Sequence, residues 1–252
     1  MDIAAYRSDV WGREVLRGVS WDLLWLVIVA AFVIMAVHAI YEAVQKRGDR
    51  PSSEGKRVQR HEKIDRIMHW VMAISILVLL FTGVMPIIGI NFAWLTIHWV
   101  SGLVLTAVVL FHILRSVFVK DLMSVWISSK DLKEPFDDGQ MPGKYSLAQK
   151  GMHLAVTVVT LVVIISGLYM FAVIDSPWWD RSISMSESTL GWLFFFHGLS
   201  TLALIALVSL HIYFGLRPEK LFYLRSMFKG WISEEELSAN HDPERWTPDE
   251  TN

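Results

Sequence analysis

The sequence contains no cysteine. That excludes disulfides, thiolate zinc sites, Fe–S ligation and covalent c-type haem attachment in this chain. Charge is also scarce: 19% of the 252 residues are Asp, Glu, Lys or Arg, against roughly 25% in a soluble domain. The formal net charge of −2 offers no basic field to a nucleic acid. Carboxylates are nearly missing from the long apolar blocks, with Glu42 and Asp175 standing at their edges. A proton relay at depth therefore lacks its acids.

What fills the chain instead is apolar. The hydrophobic share is 53% and the mean hydropathy is +0.40. These residues come in blocks, which points to a membrane rather than a globular core. Five blocks approach or exceed the roughly 20 residues needed to cross a bilayer core: Leu23–Val44, 68–90, 92–119, 152–174 and 190–216. Arg7, Arg13 and Arg17 before the first block, and Val37-His38-Ala39 within it, would also suit a cleaved leader. We read the block as a retained helix. Twelve tryptophans suit the two membrane interfaces.

Lys and Arg set the expected orientation. Segment 46–63 holds Lys46, Arg47, Arg50, Lys56, Arg57, Arg60 and Lys63. Segment 120–150 holds five Lys and 217–229 holds two Lys and two Arg, whereas 91–95 carries no charge and 175–189 carries one Arg against three acids. The basic segments are expected in the cytoplasm, with the N-terminus outside and the C-terminus inside. Pro135, Asp137, Asp138, Gly139, Pro142 and Gly143 mark a surface connection. The expected division is an N-terminal helix with a basic connector (1–62), a four-helix bundle (63–230) and a polar tail (231–252).

Eight of nine histidines lie in or beside the apolar blocks: His38, His61, His69, His98, His112, His153, His197 and His211. A titratable side chain inside a bilayer is a functional candidate, although a single one commonly serves as an interhelical hydrogen bond. His98 and His112 are fourteen residues apart on the third span, and His197 and His211 repeat that spacing on the fifth. Fourteen helical residues return to within roughly 40° of one face and rise about 21 Å. Two helices so marked suit two porphyrins stacked across a membrane, each iron held by two imidazoles. Zinc wants three or four ligands converging on one point, which histidines so far apart along a helix do not supply.

The sequence from about 63 to 246 resembles the formate dehydrogenase gamma-subunit family, within the wider group of four-helix di-haem b cytochromes. The likeness rests on Arg66-Ile67-Met68-His69-Trp70, Thr82-Gly83, His98-Trp99-Val100-Ser101-Gly102, Arg115 and Ser166-Gly167-Leu168. It continues in the loop Gly143-Lys144-Tyr145-Ser146-Leu147-Ala148-Gln149-Lys150, in Leu224 to Ser233, and in His241-Asp242-Pro243-Glu244-Arg245-Trp246. The resemblance implies an all-α integral membrane fold, a four-helix haem-binding bundle plus one extra N-terminal span. It pairs His98 with His197 for an outer haem b and His69 with His211 for an inner one. It makes Arg66, Arg115 and Arg225 candidates for haem propionates, and Ser146, Gln149 and His211 candidates for a quinone. It implies a non-catalytic electron-transfer subunit in a bacterial inner membrane, serving an Fe–S subunit and a molybdenum- or tungsten-type catalytic subunit. An oligomer of the complex is a further implication. Gly83, Gly102 and Gly167 are candidates for close approach to a haem or for plain helix packing.

Three features depart from that family. His112 and His153 stand where apolar residues are expected: His112 would replace His69 opposite His211, or the two would hold a third haem, or they would hydrogen-bond behind a haem ligand or at a quinone. The first span with His38 is extra. Ser146 replaces Asn in the quinone loop, while Gln149 is kept. Other readings are the cytochrome b of a hydrogenase or a thiosulfate or polysulfide reductase, a free-standing di-haem quinone/superoxide oxidoreductase, and a haem-free anchor.

Overall fold

A computed structural model of the chain describes residues 2–45, 53, 55–119, 125–134, 136, 140–181 and 185–248. Lys46, Arg47, Arg50, Lys120, Pro135, Asp137, Asp138 and Gly139 lie outside the described residues. Five helices are long and apolar enough to cross a membrane. They are α1 (Leu23–Val44), α2 (Lys63–Val84), α3 (Trp94–Phe118), α4 (Leu147–Phe171) and α5 (Glu187–Gly215). Many of their large apolar side chains are exposed, Phe32 and Ile40 of α1 and Ile74 and Phe81 of α2 among them, while Ser75, Thr82, Thr160, Ser166 and Ser200 are buried. Small polar residues inside and apolar ones outside is the pattern of helices packed in lipid. The protein is a mostly helical multi-pass membrane protein.

The helix ends depart from the apolar blocks where local chemistry overrides hydropathy. The second span is displaced from 68–90 to Lys63–Val84. Its first turn is charged (Lys63, Asp65, Arg66), so hydropathy misses it, and Pro86 removes a donor and disfavours helix at Met85. The helix α4 starts five residues before its apolar block because Ser146 and Gln149 cap it: Gln149 Oε1 accepts from Ser146 N at 3.0 Å and Ser146 Oγ from Gln149 N at 3.4 Å.

The chain divides into two compact units, to which the long helices contribute in turn. The first comprises 1–36, 74–107 and 156–209. It begins with an antiparallel hairpin that hydropathy did not reveal, β1 (Ala4–Ser8) and β2 (Glu14–Val19), with Ala4 opposite Val19 and Ser8 opposite Glu14. Asp9 closes its turn by accepting from Trp11 N and Arg13 N, both at 2.8 Å. The hairpin packs on α5 through two glycines. A Cβ on Gly191 would stand 2.1 Å from Leu16 O, and one on Gly198 2.5 Å from Val19 Cγ1. Val19, Leu24 and Leu202 form the core of this contact.

The second unit comprises 37–73, 108–155 and 210–252. After α5 the chain forms α6 (Leu221–Lys229), β4 (Trp231–Ser233) and α7 (Glu234–Asn240). The strand β4 pairs antiparallel with β3 (Arg57–Gln59). Gly230 ends α6 at φ 90°, a left-handed conformation that glycine takes without strain. Ser233 and Glu236 form a reciprocal cap on α7. Val58, Phe222 and Ile232 are buried between these pieces, with Tyr223, Leu237 and Trp246 against them.

Candidate functional site

Six histidines meet as three pairs, each drawn from two helices, with ring centroids 6.2 Å apart in every case. His98 of α3 faces His197 of α5 in the first unit. His69 of α2 faces His211 of α5, and His112 of α3 faces His153 of α4, both in the second unit. A ring nitrogen lies about 1.1 Å from its centroid, so the closest approach of two facing nitrogens is about 4 Å. That is beyond hydrogen-bond reach. It equals two bonds from a first-row metal to imidazole, about 2.0 Å each.

The His98/His197 pair is further organised by one device used twice. Thr82 Oγ1 donates to Val78 O at 2.7 Å, which leaves its oxygen to accept from His98 Nδ1 at 2.8 Å. Ser166 Oγ donates to Val162 O at 2.7 Å and accepts from His197 Nδ1 at 3.0 Å. With Nδ1 carrying the proton, Nε2 of each ring is the free lone pair. The next residue on each helix is glycine. A Cβ on Gly83 would stand 3.5 Å from His98 Cε1, and one on Gly167 3.3 Å from His197 Cε1. The rings therefore lie against the backbone of α2 and α4. Gly102 abuts only Leu79, which is ordinary packing.

The donor set fits haem rather than a bare ion. Among the described residues no group of three or more His, Cys, Asp or Glu converges as a metal site. Two opposed imidazoles suffice only when a macrocycle supplies the remaining nitrogens. When bound, haem b supplies reversible one-electron chemistry.

The arginines expected at propionates already have protein partners. Arg66 donates to Phe228 O. Arg115 bridges to Glu62 and, at 3.2 Å, to Asp65. Arg225 pairs with Glu236 and lies 4.3 Å over Trp231. The Nε atoms of Arg66 and Arg225 are buried with no partner among the described residues. The quinone candidates Ser146 and Gln149 serve as the α4 cap described above.

His38 is accounted for by the protein itself. Arg217 Nη1 donates to its Nε2 at 3.0 Å, so its Nδ1 carries the proton toward Tyr213 Oη, also at 3.0 Å. Arg217 binds Glu42 at 2.6 Å. The extra helix is thereby tied to the end of α5.

One cluster escaped sequence reasoning. Arg60 is buried, 3% exposed, beneath the rings of Tyr145, Tyr223 and Trp246. Its Nη1 donates to His241 Nε2 at 2.9 Å, and its Nη2 to Lys144 O at 2.6 Å. His241 Nδ1 donates to Gly143 O at 2.7 Å. Burial, and then Arg60, push His241 down to about 4 and His61 to about 3. The only signal was the aromatic and basic content of the 143–150 loop and the 241–246 stretch, which the structure brings together.

A search of the curated proteins finds no match. The family model for prokaryotic cytochrome b561 matches residues 60–230, which holds all three histidine pairs. The paired imidazoles and the five spans agree with that match, and the chain belongs to the prokaryotic cytochrome b561 family of multi-pass, b-haem-binding electron-transfer subunits.

Proposed function

We propose that this chain is the cytochrome b subunit of a respiratory dehydrogenase of the formate dehydrogenase type, passing electrons between its partners and quinone. The observation that carries the haem reading is the His98/His197 pair, held 6.2 Å apart with each Nδ1 engaged by a hydroxyl. His98 and His197 hold the outer haem, and His69 and His211 the inner one. Arg66, one turn before His69 and with a buried Nε lacking a partner among the described residues, is the favoured propionate contact.

Support for the formate dehydrogenase type comes from the two stretches that carried the finer resemblance. The 143–150 loop and the 241–246 stretch pack together: His241 binds Gly143 O, Asp242 N donates to Pro142 O at 2.8 Å, and Arg245 binds Asp131 and Glu134. In this reading quinone binds near Ser146, Gln149 and His211. The basic segments face the cytoplasm of a bacterial inner membrane and the N-terminus faces outward. An Fe–S subunit and a molybdenum- or tungsten-type catalytic subunit deliver electrons from outside.

The test is to solubilise membranes in mild detergent, capture the complex through a tag on this chain, and identify what comes with it. Formate should reduce the b bands, and a soluble quinone should reoxidise them. Reduction by hydrogen instead, with a hydrogenase captured, would transfer the chain to the hydrogenase reading. A complex without a b spectrum would end the haem reading.

A further inference from the structure

We propose that His112 and His153 are the axial ligands of a third b haem, a centre additional to the two typical of the family. It rests on the haem reading above and extends it to two further residues. His112 comes from α3 and His153 from α4, while the other pair of the second unit comes from α2 and α5, so no ligand is shared. His69 faces His211, which removes His112 as the alternative partner of His211.

The bland reading of these two residues is an interhelical hydrogen bond, and the geometry does not support it. Among the described residues neither ring makes a hydrogen bond. Nor do they reach each other: at 6.2 Å between centroids the closest approach of two nitrogens is about 4 Å, beyond hydrogen-bond reach. Two imidazoles left without partners inside membrane spans are costly. An iron between them removes that cost by engaging both lone pairs. The separation is the same as in the other two pairs. Space is present as well, since His153 is exposed.

The experiment is haem per chain by pyridine haemochrome on the detergent-solubilised complex, with low-spin ferric EPR on the same sample. The expected result is three haems per wild-type chain, falling to two in both His112→Ala and His153→Ala, with one low-spin signal lost and the others kept. The wild-type ratio needs no variant to fold. Two haems in the wild type would overturn this proposal and leave the His98/His197 and His69/His211 assignment standing. Three haems unchanged in both variants would overturn the ligand assignment. No haem would overturn the whole haem reading.

Discussion

Ser166→Ala removes one oxygen and leaves everything else at the His98/His197 pair in place. Ser166 is buried, 4% exposed, and its Oγ accepts from His197 Nδ1 at 3.0 Å. Leaving a buried donor unsatisfied costs about 1–3 kcal/mol. The bond also raises the basicity of the ligating imidazole, which favours the ferric over the ferrous state. If about 1 kcal/mol of it discriminates between the two states, the midpoint potential rises by about 40 mV, at 59 mV per tenfold for one electron. Thr82→Val is nearly isosteric and removes the matching acceptor from His98, so it should raise the midpoint by a similar amount. A spectroelectrochemical titration of the b bands reads both. The two variants must move the same component, because under the proposed assignment both hydroxyls orient ligands of one iron. The rings of His69 and His211 make no hydrogen bond among the described residues, so the shifted component should be lower in potential than theirs in the wild type. Shifts in two different components, or none in either variant, would refute the reasoning.

Gly191→Val places a side chain where a Cβ already meets Leu16 O at 2.1 Å; at about 1–3 kcal/mol, hydrogen-exchange protection of 4–19 should drop by about 5- to 150-fold, whereas Gly215→Ala, with nothing within 4 Å, should leave it alone. His38→Phe breaks the bonds to Tyr213 and Arg217 and should lower thermal stability by about 1–3 kcal/mol with haem content intact; a lost haem would make His38 a ligand. His241 and His61 are both depressed in the folded protein, to about 4 and about 3, so the unfolded state binds more protons below the ordinary value of about 6.5. Their contribution to stability is full above that value and declines as pH falls toward about 4. Protease nicking of 231–248 should therefore rise across that window, and nicking that does not vary with pH would count against it.

The apolar blocks gave the number and order of the spans because a bilayer sets helix length by thickness, and hydropathy reads thickness directly. Block edges failed where polar chemistry decides: the charged first turn of α2, the Ser146/Gln149 cap, Pro86. The hairpin 4–19 was invisible because its strands carry little alternation and its fit depends on Gly191 and Gly198, nearly two hundred residues away. Histidine spacing singled out His98, His112, His197 and His211, each of which the structure sets opposite another histidine. It did not show that Thr82 and Ser166, apparent only as small-residue motifs, set the tautomer of His98 and His197. Such a role depends on a rotamer and on a second bond to a backbone carbonyl, and neither has a period in the sequence.

Counting hydrogen bonds sorts the histidines more sharply than depth does. His38 and His241 have both ring nitrogens engaged by protein groups, so neither retains a lone pair for iron. His98 and His197 have Nδ1 held by a hydroxyl and a second histidine opposite, which is the state of a ligand with its tautomer fixed. His69, His211, His112 and His153 have no hydrogen bond among the described residues, and each has a histidine opposite at the same 6.2 Å. His61 has a tyrosine beside it instead of a histidine, and Arg60 beside it disfavours a further positive charge. A histidine kept for packing would find a partner within the protein, since an unsatisfied imidazole in lipid is costly. The four without one come in two facing pairs, and a centroid separation of 6.2 Å leaves room between them for two metal–nitrogen bonds of about 2.0 Å each.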